Sequence, residues 1–167
     1  MISDQAFLWF YLPGEIEPVV CGVVAFKGYE HVFRYARSYL ERNNAIPLAP
    51  PGRPLGELTG EETVLDAEIN SAIRDASPDA WGRNVMLREF ANTPGRKQSE
   101  LGEIDFLLRA GPGRIGALDA TSDPGQYTPK RSHAAPLEDL LEAADRIDQG
   151  KALAPTLDAA LNHGTSV

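Results

Sequence analysis

Short apolar runs separated by turn residues mark the first part of the chain. The runs at residues 6–12, 19–26 and 31–35 are rich in Val, Phe, Tyr and Trp, the residue types that favour β-strands. Pro13-Gly14 and Lys27-Gly28 separate the runs, and both pairs are typical of turns. The pattern predicts an antiparallel meander of three strands that curls into a small barrel.

Helical periodicity replaces this pattern after a proline- and glycine-rich stretch, IPLAPPGRPLGEL, at residues 46–58. Thr59 and Glu62 have the spacing of a capping box, which predicts a helix start at that point. The apolar residues behind them recur at the spacing of one helical face: Leu65, Ile69, Ala72, Ile73 and Ala76. We therefore divide the chain into a β-rich subdomain at residues 1–50, a connection at 51–58 and a mainly helical remainder at 59–167.

Two more helices and one strand are predicted before residue 122. Ser77-Pro78-Asp79 is typical of a helix start, with Ser77 as the N-cap, a proline in the first turn and an aspartate at the positive end of the helix dipole. Ser99 precedes a second helical pattern, in which Leu101, Ile104 and Leu108 share one face. The stretch RIGALDAT at residues 114–121 predicts a strand.

The last third of the chain begins with a polar, turn-rich stretch that predicts a loop. The clearest amphipathic helix of the chain follows, and Gly150 ends it. Its apolar face is formed by Leu137, Leu140, Leu141, Ala144 and Ile147. A final short helix is expected after Pro155.

One stretch, SPDAWGR at residues 77–83, is not explained by periodicity alone. Gly82 falls just inside a predicted helix, where glycine costs about 1 kcal/mol relative to alanine. Close packing of another backbone against Gly82 would explain it, with Trp81 anchoring the contact and Arg83 bound to a neighbouring carbonyl or carboxylate. Two interpretations stay open: a structural corner inside the chain, or a contact surface for another polypeptide.

Charge and cysteine content narrow the classes of function. The 167 residues carry a net charge of −8 at pH 7, which repels phosphate backbones and argues against unaided nucleic-acid binding. The single cysteine, Cys21, has no partner for an internal disulfide, as is typical of a cytoplasmic protein. The apolar run at residues 6–12 is too short to span a membrane. We expect a cytoplasmic protein that binds neither nucleic acid nor membrane directly.

Motifs for metal and nucleotide binding are not supported. The three histidines, His31, His133 and His163, lie far apart in the sequence, so no metal site is predicted. Residues 111–116 match the spacing G-x-G-x-x-G, but here a predicted helix precedes the glycines and a strand follows, the reverse of a dinucleotide-binding loop. Pro112 also lacks the amide that such a loop would use. We interpret these residues as a turn between a helix and a strand.

An ordered set of motifs resembles the N-terminal region of HipA-like proteins, the serine/threonine kinase toxins of type II toxin–antitoxin modules. The motifs are YLPGEIEPVVCG, FRYARSYLER, IPLAP, SPDAWGR, and IDFLL followed by GRIGAL. They run in order from about Phe7 to the end of the chain. The pair PDAWGR and GRIGAL is the most specific part. Residues 111–113 stand where the family often has an acidic or polar pair, so the turn there is expected to differ in shape.

The resemblance implies an α+β fold: a small antiparallel, barrel-like β subdomain, then helices and the beginning of an incomplete kinase N-lobe. It implies interface or structural roles for Trp81, Gly82, Arg83, Arg114 and Gly116. It also places Ser166 at the regulatory phosphorylation site in the loop over ATP. Because the residues after that serine in the family are missing, we expect the C-terminal end to be a cut through a longer protein.

The resemblance further implies that this chain is not catalytic by itself, although it leaves open whether the chain belongs to an enzyme. The family's ATP-binding lysine, its catalytic-loop aspartate and asparagine, and its metal-binding aspartate all lie downstream of the matched region. No catalytic residue, metal ligand or cofactor is therefore assigned to this chain, whereas the complete family kinase uses ATP and Mg²⁺.

Two functions follow from the resemblance. In the first, the chain is the N-terminal portion of a HipA-like kinase, with the C-terminal kinase portion and a DNA-binding antitoxin of the HipB type as partners. In the second, it is a separate regulatory component of a split HipA-type module that binds and restrains its kinase. The length of the chain, which runs past the β-rich subdomain to the ATP loop, favours the first. A general interaction domain without a kinase connection is the third hypothesis.

Overall fold

The computed structural model describes residues 3–65, 69–92, 101–110, 116–125, 127 and 137–151. Within these ranges the chain forms five strands and five helices. The strands are β1 (Gln5–Phe10), β2 (Val19–Lys27), β3 (Glu30–Tyr35), β4 (Thr63–Leu65) and β5 (Leu118–Thr121). The helices are α1 (Arg37–Leu40), α2 (Ser71–Arg74), α3 (Ala80–Ala91), α4 (Glu103–Arg109) and α5 (Leu137–Asp148).

All five strands form one antiparallel sheet in the order β4-β3-β2-β1-β5. The three predicted strands are confirmed as β1, β2 and β3, and the α+β class is confirmed with them. The predicted barrel is wrong, because β4 and β5 lie at opposite edges of the sheet and do not pair with each other. Strands of three and four residues cover the two edges of the meander without closing it.

The helix predicted from Thr59 is also wrong. Thr59 Oγ1 accepts a hydrogen bond from the Glu61 amide in a local turn, and β4 then pairs with β3, with Leu65 opposite His31. The backbone N–H and C=O groups along that edge of β3 require hydrogen-bond partners, which β4 supplies. This pairing outweighs the helical spacing of the side chains. Four of the five predicted apolar residues are nevertheless buried: Leu65, Ile69, Ile73 and Ala76.

Element boundaries further along shift by a few residues. Asp79, not Ser77, caps α3, because its Oδ1 accepts a hydrogen bond of 2.8 Å from the Gly82 amide. The strand predicted within residues 114–121 is confirmed as β5, and the amphipathic helix is confirmed as α5. Gly150 follows α5 with a φ of +68°, the left-handed conformation that ends many helices. Ser99 and the helix predicted after Pro155 lie outside the described residues.

The main core lies on one face of the sheet, where α1 contacts β2, and α4 contacts β1, β2 and β5. Its largest fully buried side chains are Tyr39, Phe33, Leu8, Ile69, Ile73, Leu107, Val24 and Cys21. Gly22 belongs to this face as well: a Cβ atom there would lie 2.4 Å from Cζ of Phe33, so only glycine leaves room for that ring. Burial of these side chains supplies the main driving force for the fold.

Two tyrosines attach the proline-rich segment at residues 46–58 to this core. The Tyr35 hydroxyl donates to the Leu55 carbonyl (2.7 Å) and accepts from the Leu48 amide (2.8 Å). The Tyr39 hydroxyl donates to the Ile46 carbonyl (2.8 Å) and accepts from the amide of the same residue (3.2 Å). A segment without regular structure thus has several of its backbone groups paired, which buried polar groups require.

Candidate functional site

Trp81, Gly82 and Arg83, the residues singled out in the sequence, lie in the first turn of α3. Gly82 is buried, and a Cβ atom at that position would lie 3.0 Å from Cβ of Pro78 and 3.3 Å from Oδ1 of Asp79. Glycine therefore lets the start of the helix fold tightly onto the residues just before it. The predicted close packing is present, but the contacting atoms belong to these side chains rather than to another backbone.

Arg83 connects the start of α3 to the start of α4. Its Nη1 and Nη2 donate to the two carboxylate oxygens of Glu103 at 2.6 and 2.7 Å, a bidentate ion pair whose side chains are 24% and 25% exposed. Its Nε donates to the Pro78 carbonyl at 3.2 Å, and its guanidinium lies 4.8 Å from the ring centroid of Phe106. Arg83 thus binds both the carboxylate and the carbonyl that the sequence interpretation offered as alternatives.

The environment of Glu103 favours its charged form. The hydrogen bonds from Arg83 hold the pKa of this carboxyl below its ordinary value, against the opposing effect of partial burial. The positive charges of Arg83, His31 and Arg74 lower the pKa further. Glu103 is also the first residue of α4, where the helix dipole stabilises a negative charge. The ion pair is consequently a charged link between the first turns of two helices.

Trp81 is the member of this triplet that remains available at the surface. The residue is 36% exposed, so part of its surface is open to contact while the rest packs within this chain. Asp79 fixes the helix start directly before it, and the Arg83–Glu103 ion pair fixes the turn directly after it. We call residues 77–83 the Trp81 corner. A half-exposed indole on a rigid support is suited to contact with another protein surface.

Gly116 has a structural role at the sheet edge. Its φ of +95° lies in the left-handed region, which side chains other than glycine rarely adopt. The next residue, Ala117, accepts a hydrogen bond of 2.9 Å from the Tyr11 amide, so the chain turns at Gly116 directly into contact with β1. Arg114 and Ser166, the other residues assigned by resemblance, lie outside the described residues, as do residues 111–113.

The structure also contains a hydrogen-bonded aromatic cluster that sequence reasoning missed. The Tyr11 hydroxyl donates to the Tyr127 hydroxyl (3.0 Å), which donates to Oδ2 of Asp119 (2.7 Å). Trp9 Nε1 donates to Thr121 Oγ1 (2.7 Å), and the rings of Trp9 and Tyr127 lie 5.1 Å apart. Burial and the hydrogen bonds to Tyr11 and Asp119 raise the pKa of Tyr127. No local pattern signals this cluster, because it joins Trp9 and Tyr11 to residues more than a hundred positions further along the chain.

The described residues offer little for nucleophilic or metal chemistry. Burial raises the pKa of the Cys21 thiol to about 12, so the thiolate that would act as a nucleophile is not formed near neutral pH. Across the described ranges, no three His, Cys, Asp or Glu side chains are grouped so as to hold a metal ion. No helix found among the same residues is both long and apolar enough to cross a membrane.

A concave surface lies between the proline-rich segment and α2. It is a groove of about 770 Å³, within the range of about 300–1,000 Å³ that ligand sites occupy. Arg53 contributes to one wall and Arg74 to the other. The sequence analysis assigned no role to either arginine.

Comparison of the chain with protein-family models and with curated proteins gave no match.

Proposed function

We propose that this chain is the N-terminal portion of a HipA-like serine/threonine kinase toxin, and that the Trp81 corner docks on the rest of the kinase. The chain is cytoplasmic and not catalytic by itself in this proposal. Its open sheet with the packed helices is the beginning of a kinase N-lobe that further residues complete. The motifs named in the sequence analysis, from YLPGEIEPVVCG to GRIGAL in chain order, support the proposed family assignment.

The observation that carries the docking role is the exposure of Trp81 on a rigid support. Tryptophan is the residue type most enriched among side chains that dominate binding energy. The cap at Asp79 and the Arg83–Glu103 ion pair hold the backbone on both sides of Trp81 before any partner arrives. A preorganised anchor loses little conformational entropy on binding, so most of its burial energy contributes to affinity.

The test is association with a C-terminal fragment of a HipA-like kinase that lacks its own N-terminal region. We expect titration calorimetry to detect binding, and Trp81→Ala to weaken it by about thirtyfold, the loss typical of a dominant interface residue. The isolated variant is melted separately and the titration is run well below its melting temperature, because Trp81 is 36% exposed and its truncation also removes packing within the chain. Leu141→Ala is the matched control, since Leu141 is a 59% exposed apolar residue on α5.

Two outcomes would contradict this proposal: no association of the unaltered chain, or equal affinity of the Trp81→Ala chain.

A kinase assay on the same mixture separates the two roles that the resemblance allows. A completing portion supports autophosphorylation of the fragment. A separate restraining component suppresses the activity of a kinase that is already active.

A further inference from the structure

We propose that a cavity between α4 and the end of β5 binds a small α-amino acid, with the ammonium group on Asp105 and the carboxylate on Arg109. This goes beyond the proposed function, because no kinase portion takes part in the binding. The cavity has a volume of about 350 Å³, within the range of about 300–1,000 Å³ that ligand sites occupy. Its lining includes Ser3, Asp105, Leu108, Arg109, Ala120 and Ser122.

Asp105 places a nearly buried carboxylate at this cavity. The residue is 3% exposed, and its two carboxylate oxygens accept hydrogen bonds from the amides of Ser3 (3.2 Å) and Gly102 (3.1 Å). Among the described residues, the carboxylate is thus bound by neutral amides rather than by a cationic side chain. Each oxygen can accept a second hydrogen bond. Because a buried charge is normally paired with one of opposite sign, a ligand on Asp105 is expected to bring an ammonium group.

Arg109 lies one helical turn beyond Asp105 on α4 and lines the same cavity. Residues four apart on a helix have Cβ atoms about 5–6 Å apart, and opposite charges at this spacing commonly pair. Here the described contacts go elsewhere: Asp105 binds the two amides, and the Arg109 guanidinium lies 5.4 Å from the ring centroid of Phe90. Contact with an aromatic ring leaves the N–H donors of a guanidinium able to bind a carboxylate.

The two opposite charges select a ligand that carries both. In an α-amino acid the ammonium and carboxylate groups are attached to one carbon atom, so a single small molecule can reach both side chains. Leu108 and Ala120 supply apolar surface for a short side chain. An α-amino acid has no net charge at neutral pH, so the charge of −8 on the whole chain does not repel it. The same charge disfavours a simple anion as the occupant.

The experiment is a titration of the full, isotope-labelled chain with L-alanine, followed by NMR through the amide signals of Thr121 and Ser122. Ethylamine and propionate are the matched ligands, because each is alanine without one of its two charged groups. L-Alanine should shift the amide signals saturably. Each analogue should bind about tenfold more weakly, since one charge-assisted interaction is lost.

Arg109→Gln should weaken binding of L-alanine about tenfold and leave the affinity for ethylamine unchanged. This variant is expected to fold, because Arg109 is exposed. Asp105→Asn should weaken binding of both ligands. Since Asp105 also binds two amides, this variant is melted first, and if it does not fold, Arg109→Gln with the three ligands decides the question.

Arg34→Gln is the control variant. Arg34 is exposed on β3, which β2 and β1 separate from β5 in the sheet. The affinity of this variant for L-alanine should therefore equal that of the unaltered chain.

Four results would overturn the inference. The first is a titration with L-alanine that does not saturate. The second is equal affinity for L-alanine and ethylamine, and the third is unchanged affinity for L-alanine in Arg109→Gln, since either would mean that Arg109 takes no part. The fourth is equal affinity for L-alanine and propionate, which would reduce the cavity to a simple anion site. The assay contains no kinase fragment, so its failure would leave the role proposed for Trp81 untouched.

Discussion

Consecutive residues at the start of α3 differ sharply in their surroundings. Trp81 is half-exposed, Gly82 leaves no space for a side chain, and the Arg83 guanidinium lies between Glu103 and the ring of Phe106. A helix separates successive side chains by about 100°, so neighbours in sequence face different environments. The Trp81 corner therefore combines Arg83, which forms an ion pair within the chain, with Trp81, which is partly exposed at the surface.

The ion pair predicts a specific pH dependence. The pKa of Glu103 is lower in the folded chain than the ordinary value of 4.5. The charged carboxylate therefore stabilises the fold fully above pH 4.5. This contribution is lost as the pH falls below 4.5 and through the lowered pKa of the folded chain. Glu103→Gln should reduce the free energy of unfolding by about 1–2 kcal/mol at pH 7, and the difference from the unaltered chain should vanish in strong acid. Urea denaturation at both pH values measures this.

Glu17→Gln is the control for that prediction, because Glu17 is exposed in the connection between β1 and β2. Its stability should follow that of the unaltered chain at both pH values. If Glu103→Gln lowers the free energy of unfolding by the same amount at pH 7 and in strong acid, the ion pair is not the source of the lost stability.

Among the elements, the proline-rich segment shows how an irregular stretch is given a defined shape. Its prolines restrict the backbone, but the segment has no hydrogen-bonded ladder of its own. The hydroxyls of Tyr35 and Tyr39 satisfy its backbone groups from the sheet side, and the two rings stack with centroids 5.9 Å apart. Burial raises the pKa of Tyr35 to about 12, so the hydroxyl stays protonated and able to donate at neutral pH.

Tyr35→Phe should therefore destabilise the chain although it removes one oxygen atom only. The Leu48 amide and the Leu55 carbonyl would lose their partner, and an unsatisfied buried group costs about 1–3 kcal/mol. Urea denaturation measures the loss in the free energy of unfolding. Faster hydrogen exchange of the Leu48 amide would show that the loss arises at the bond to Tyr35. Tyr29→Phe, at a position 96% exposed, should change neither quantity. Equal stability of the two variants would show that the hydroxyl does not hold the segment.

For the whole molecule, the sheet joins residues from both sides of the 51–58 connection. β4 follows the connection and covers one edge of the meander, while β5 comes from beyond α4 and covers the other. Leu118 and Ala120 of β5 lie in the same core as Leu8 of β1. The β-rich region is thus completed by later residues, and truncation near residue 50 would leave both of its edges open.

At the same scale, the proposed function predicts that the chain does not bind Mg-ATP. The resemblance places the nucleotide-binding lysine and the metal-binding residues of the family outside the matched region, and phosphoryl transfer needs all of these groups together. Calorimetric titration with Mg-ATP is expected to show only the heat of dilution. A complete HipA-like kinase, titrated under the same conditions, serves as the positive control. Micromolar binding of Mg-ATP by this chain would refute the assignment of the nucleotide-binding lysine and the metal-binding residues to a region outside the matched motifs.

Local sequence patterns sufficed for the elements whose side chains follow one clear period. The strands β1, β2 and β3 are apolar runs bounded by turn residues, and α5 repeats apolar residues at helical spacing before Gly150. Those patterns act over a few residues, so they are readable without knowledge of the fold. The sequence also singled out the Trp81 corner, because a glycine next to a tryptophan is unusual in the first turn of a helix.

Tertiary structure alone decided the features that depend on pairing over long distances. Residues 63–65 became a strand because the edge of β3 needed hydrogen-bond partners, although their apolar spacing is equally compatible with a helix. The Arg83–Glu103 ion pair joins residues 20 positions apart, and the Tyr11–Tyr127 hydrogen bond joins residues 116 positions apart. The groove between Arg53 and Arg74 likewise exists because two separate segments fold against one core. Such contacts follow from the packing of the whole chain, which no local period encodes.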